Sequence, residues 1–336
     1  MATTPANPVN LQPMSLSELL DRTFTIYRRH FWFFCGVMLA PQAIALAFRL
    51  LLLLVAPVRM PLVMANPNDP FAALAAMKTT FISAFVLSIV LLICQGFALG
   101  AVSFGVSDFC LGRTSAVKTS YFLVFRRFFG YLGLMFLLAS IGVAFLVMGF
   151  MAGGILGGIA TALVSLIGAL SPILKAVLAI AAVIFMLAAI AAGGLLALWL
   201  MARFAVSVPV FLLENRTALD SLHRSGELTA GHRGRILAAI VVMGVICYAV
   251  QLLLGGPFAL FLLMSSIKGV VPLWTQIGGA LAETAATILA WPLPMITITL
   301  IYYDVRIRKE AFDLETMMAN LEPVVPGATG PVPDFR

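Results

Sequence analysis

Charge is what this sequence has least of. Asp, Glu, Lys and Arg make up 10% of its 336 residues, where a soluble domain carries about 25%. So few charges cannot clothe a water-exposed surface of this size, which argues against a soluble enzyme or a nucleic-acid-binding domain. Histidine is equally sparse: His30, His223 and His232 are the three, and none has the HExxH or HxE spacing that sets two ligands, or a ligand and a base, on one helical face. The four cysteines, Cys35, Cys94, Cys110 and Cys247, form no CxxC pair, so they read as small apolar packers and not as a disulfide framework or metal site. No GxSxG and no P-loop is present, and the Gly-rich "GFMAGGILGG" lacks a Lys-Ser/Thr ending, so it reads as a surface for close helix packing. No cleavable leader is expected, because the first apolar run begins only near residue 31 and no small-x-small site follows it.

What the chain does contain is apolar length. Apolar residues make up 62% of it and its mean hydropathy is +1.07, values that call for lipid as the solvent. Six runs, about 31–55, 79–104, 129–152, 172–200, 236–264 and 276–302, are each long enough to cross a hydrocarbon core of about 30 Å. The stretch 153–171 between the third and fourth is apolar but rich in glycine and ends at Ser171-Pro172, so it reads as a lip or re-entrant segment. Residues 1–14 read as a flexible N-terminus, 15–318 as the membrane domain, and 319–336, with prolines and no apolar period, as a disordered tail.

The basic residues orient these spans. Arg22, Arg28 and Arg29 precede the first; Arg113, Lys118, Arg126 and Arg127 lie between the second and third. Arg203, Arg216, Arg224, Arg233 and Arg235 lie between the fourth and fifth, and Arg306, Arg308, Lys309 and Arg336 follow the sixth. The opposite loops hold only Arg59, Lys78, Lys175 and Lys268. By the positive-inside bias both termini of this multi-pass chain are expected in the cytoplasm. Reporters fused after residue 115, 220 or 320 should then read as cytoplasmic and those near 65, 165 or 270 as external; an external signal at 320 would mean an odd number of crossings.

Each pair of spans opens in a similar way. "LSELLDRTFTIYRR" (16–29), wound at 100° per residue, sets Leu16, Leu19, Leu20, Phe24, Ile26 and Tyr27 against Glu18, Asp21, Arg22, Arg28 and Arg29, with Ser15 and Glu18 as a capping box. Val117, Tyr121, Val124 and Phe125 mark a second such helix, and Leu219 and Leu222, with Thr217 and Asp220 as a cap, a weaker third. Arg28 to Arg126 is 98 residues and Arg127 to Arg233 is 106. The expected fold is an all-α polytopic membrane helical bundle of about six transmembrane helices, in three hairpin units with amphipathic interfacial helices.

Three patches, "LSELLDRTFTIYRRHFWFF", "LLENRTALDSLHRSGELTAGHRGRIL" and "YYDVRIRKEAFDLE", together resemble the bacterial glycerophosphoryl diester phosphodiesterase membrane-domain family, over roughly residues 14–318. The resemblance implies a stand-alone membrane domain, multi-pass in the bacterial inner membrane. Some members of that family carry a soluble phosphodiesterase barrel, for which no segment of this sequence has room, so the family's name is not carried over as an activity.

Two charges fall inside the apolar runs. Arg49 and Glu283 each lie about six residues from the outer end of the first and last spans, on the order of 9 Å deep. An intramembrane charge is costly unless paired, so the two are expected to pair and latch the first span to the last. Gln95 is expected to donate a hydrogen bond between helices. No polar cluster at mid-depth is legible. Arg28, Arg29, Arg126, Arg127, Arg233 and Arg235 are expected to ring the cytoplasmic face, as topology signals or as contacts to lipid headgroups. The functional expectation is an integral membrane protein without intrinsic catalysis or cofactor, lipid-associated or a scaffold for a membrane protein partner. Membrane lipids, anionic ones included, are the expected contacts, and nucleic acid is not. The alternative is a transporter or permease for a small or lipid-like solute, and after it a membrane-embedded hydrolase.

Overall fold

A computed structural model describes residues 14–55, 70–167, 172–267 and 272–310; the expected flexible N-terminus, up to residue 13, and the proline-rich tail lie outside them. The described residues are helical, without strands, and six helical stretches are long and apolar enough to cross a membrane. A short helix followed by two long ones occurs three times. The first set is α1 (Leu16–Arg29), α2 (Phe31–Val55) and α3 (Pro70–Cys110), and the second is α4 (Val117–Phe125), α5 (Phe128–Ile167) and α6 (Pro172–Phe204). The third adds a helix of about two turns: α7 (Ser207–Leu213), α8 (Ala218–Thr229), α9 (Arg233–Ile267), and a final crossing divided into α10 (Leu273–Ala290) and α11 (Pro292–Glu310). The short helices gather where α3, α6 and α11 end, and this is the basic end of the bundle.

The short helices begin where local chemistry says they should. Ser15 Oγ accepts from the Glu18 backbone N–H and the Glu18 carboxylate accepts from the Ser15 N–H at 2.6 Å, which closes the capping box. Hydrogen bonds from Ser15 to that carboxylate, from its backbone N–H first and its hydroxyl second, hold the Glu18 carboxyl below its ordinary value. Thr217 caps α8 by accepting from the Asp220 N–H at 3.3 Å. The faces differ from the expected ones in detail. Leu219 is exposed, and α8 instead buries Ser225, Gly226 and Thr229 against the end of α6. There the Ser225 and Thr229 hydroxyls donate to the Arg203 carbonyl at 2.9 and 3.1 Å, satisfying an acceptor that a helix end leaves without an i+4 partner. Phe125 of α4 likewise turns outward, while Val124 is buried.

Two segments depart from the sequence reading. Residues 153–167, expected as a lip, continue α5. A backbone in lipid has no water to bond, so the helix persists despite its glycines, and one row of them faces α6. A Cβ on Gly193 would lie 3.1 Å from the Gly149 Cα, and Cβ atoms on Gly153 and Gly157 would meet Ile190 and Met186. The glycines act as packing surface in a hairpin of two long helices. At 40 residues α5 is about 60 Å long, roughly twice the hydrocarbon thickness.

The run expected as one span at 276–302 is divided at Trp291. Pro292 and Pro294 have no N–H, so the ladder of hydrogen bonds is interrupted there. The carbonyls around the break find other donors: the Tyr27 hydroxyl reaches Leu289 O at 2.7 Å and the Cys247 thiol reaches Ala290 O at 3.2 Å. Beyond it, α11 is the centre of the bundle, with thirteen of its nineteen residues buried. Hydroxyls hold it to its neighbours: Thr297 to Thr23 at 3.2 Å, Thr299 to Ser103 at 3.3 Å and Tyr303 to Ser107 at 2.7 Å. Such bonds add orientation where lipid removes the hydrophobic contribution to helix association.

Candidate functional site

The six arginines of the expected ring do different things. Arg28, Arg29 and Arg126 are exposed at the basic end. Arg127 instead caps α7: its guanidinium donates to the carbonyls of Phe211 at 2.8 Å and Asn215 at 3.1 Å and lies 4.9 Å over the Phe211 ring. Arg233 stacks 4.6 Å over Trp199. Arg235 turns into the protein, toward Asp304. Three of the six are therefore tied to the protein itself.

Asp304 is the centre of a lock that the sequence reading missed. It is 3% exposed. Its Oδ1 accepts from the Met14 N–H at 2.8 Å, and its Oδ2 from Arg235 at 2.9 Å and Arg308 at 3.1 Å. Both arginines also donate to the Met14 carbonyl. The start of α1, the start of α9 and the end of α11 are thereby joined through one carboxylate. A second set lies beside it: Glu214 accepts from the Tyr302 hydroxyl and pairs with Arg216 and Arg224, and Arg224 and Arg306 pair with Glu310. The local signal available was the Asp304–Arg308 spacing of four within "DVRIRK", which on its own reads as an exposed helical ion pair.

Inside the apolar region, Arg49 Nη1 of α2 donates to Glu283 Oε2 of α10, so the structure brings these two together. Around them lies a cavity of about 230 Å³ between α2, α3, α9 and α10, lined on its polar side by Gln42, Gln95, Gln251, Thr284 and Thr287. This corrects the expectation of no mid-depth polar cluster. Each glutamine is isolated within its own apolar run, and only packing places them together. Gln42 is 3% exposed, and its Nε2, like the Oε1 of Gln95, is buried without a hydrogen-bond partner. The expectation for Gln95 is a donor between helices; the atom left without a partner is its acceptor, on a side chain of the same cavity wall.

The histidines do not converge. His30 stacks on Phe109 with ring centroids 3.7 Å apart, and burial first, with Arg29 second, holds its imidazole below the ordinary value. His223 is on the surface, 3.4 Å from Glu227, and His232 lines the same small cavity as Asp304. Among the described residues, no three His, Cys, Asp or Glu side chains gather as metal ligands. The arrangement offers two places that can hold a ligand: a cationic, aromatic rim, and a polar cavity within the helices. No family model, curated protein or solved structure matches this chain.

Proposed function

We propose that this integral membrane protein is a lipid-associated component of the bacterial inner membrane, without catalysis of its own, whose basic end and termini face the cytoplasm and present a scaffold to a membrane partner. One observation carries this reading. Exposed Arg28, Arg29 and Arg126 sit beside Trp32 and Phe129, which are 84% and 85% exposed. Cations and large aromatic rings turned outward at one level suit a headgroup layer, where amphipathic rings settle and anionic lipids attract each surface cation by about 1 kcal/mol. The likeness of the three polar patches to the phosphodiesterase membrane-domain family supports a membrane role of this kind. It supplies no hydrolytic activity to this chain.

The test uses exposed cations that do not hold the fold together. Arg113, Lys118 and Arg126, all exposed, are replaced by Gln, with Arg28 and Arg29 kept to preserve orientation. Lipid co-purified with the folded variant should lose anionic species, on the order of fivefold for each cation in contact. An unchanged lipid profile would reduce these side chains to topology signals. The cavity favours a second reading, a permease for a small or lipid-like solute, because transporters bind near the bilayer midplane between helices.

A further inference from the structure

The geometry points to the cavity between α2, α3, α9 and α10 as a binding site for a zwitterion, a molecule carrying an ammonium and a singly charged anionic group a few bonds apart. Three observations lead there. First, Gln42 and Gln95 line one cavity, and each has one amide atom, Nε2 and Oε1 respectively, buried without a partner. A buried polar group left unmet costs about 1–3 kcal/mol, so an orphan donor and an orphan acceptor on two side chains of one cavity wall favour an occupant toward which both amides can turn, and which offers both an acceptor and a donor. Second, at about 230 Å³ the cavity far exceeds the 10–15 Å³ or so that one bridging water needs.

Third, the charges divide by helix. Gln42 and Arg49 are seven residues apart on α2, hence on one face of it, and both line the cavity. They supply the donors for an anionic oxygen. The acceptors, Gln95 Oε1 on α3 and the Glu283 carboxylate on α10, come from two other helices of the lining and suit an ammonium. A net anion would meet Glu283 uncompensated, and a net cation would meet Arg49, each at apolar depth where an unpaired charge is costly. A zwitterion that opens the Arg49–Glu283 pair gives each charge a new partner. Arg49 and Glu283 retain partial exposure, at 36% and 52% of their side chains, so the pair forms a mouth to the outside of the bundle.

This chemistry has two sources, an ethanolamine phospholipid headgroup or a small free zwitterion, and one experiment separates them. The purified full chain is titrated with dioleoylphosphatidylethanolamine, dioleoylphosphatidylglycerol and taurine, with binding read by native mass spectrometry. The same titrations are run on Gln42→Leu/Gln95→Leu and on Arg49→Glu/Glu283→Arg. Binding of the ethanolamine lipid identifies a headgroup and binding of taurine a free zwitterion; either should weaken at least tenfold in both variants. The glutamine variant should also unfold at a higher temperature than the parent, because replacing two orphaned amides by apolar groups of similar size removes a penalty. A glutamine pair that merely held helices together would give the opposite shift. Absence of binding by both zwitterions, binding unaffected by the variants, or a variant-sensitive preference for phosphatidylglycerol would overturn the proposal. It rests on the cavity and not on the cationic rim. Binding without movement of taurine across a liposome membrane would end the permease reading and leave this one standing.

Discussion

Replacing Asp304 by alanine should lower the stability of the folded protein by about 3 kcal/mol or more, the range observed when one partner of a buried ion pair is removed. The carboxylate is 3% exposed and is the only group that meets Arg235, Arg308 and the Met14 N–H together among the described residues. Its loss leaves two guanidinium groups facing one another at the start of α1. Their side chains are 25% and 27% exposed, so water reaches them in part, and this places the expected cost toward the lower end. Asp304→Asn should cost less, because the amide oxygen can still accept while the charge is gone. In detergent, the alanine variant should unfold at a lower temperature and expose its N-terminal segment to protease. Combining it with Arg235→Ala should cost less than the two changes added together, since they remove one shared interaction. Additive losses, or an unmoved transition in Asp304→Ala, would show that the contact does not hold α1.

The second large effect is expected at Gly193. A Cβ there would lie 3.1 Å from the backbone Cα of Gly149, and a backbone cannot rotate aside as a side chain can. Gly193→Leu should push α5 and α6 apart and cost about 1–3 kcal/mol, the range for overpacking a close contact. The adjacent Gly194 has nothing within 4 Å of its Cβ position, so Gly194→Leu supplies the control. It adds the same side chain one residue away, where no atom lies within 4 Å of the added Cβ. The Gly193→Leu transition should therefore fall below that of Gly194→Leu, which stays near the parent's. Equal shifts would mean that the α5–α6 contact is not set by its glycines.

The features legible in the sequence are those decided by short stretches of chain. Six apolar lengths correspond to the six candidate crossings, because the need to bury backbone hydrogen bonds in lipid acts on each run by itself. The Ser15–Glu18 box and the Thr217 cap rest on residues three apart. Glycine-mediated packing was readable in "GFMAGGILGG", although which glycines face a partner was not. "WPLP" at 291–294 carried the division of the last crossing in plain view; hydropathy averaged over the run conceals two missing N–H groups. The lip expected at 153–171 gave glycine the weight it has in water, where exposed backbone finds other partners.

The sequence by itself determined an all-helical chain in lipid, the number of its apolar crossings, the starts of its short helices and the end of the bundle where its basic residues collect, since each follows from local composition and a hydrogen bond or turn only a few residues long. Tertiary structure alone decided which arginines stay exposed and which are tied inward, because Arg28 and Arg235 look alike until Asp304 is folded against one of them. It also decided the cavity. Gln42, Gln95 and Gln251 lie on three different helices, and a single polar side chain in a long apolar run takes its meaning only from what the packing of the other helices brings to face it.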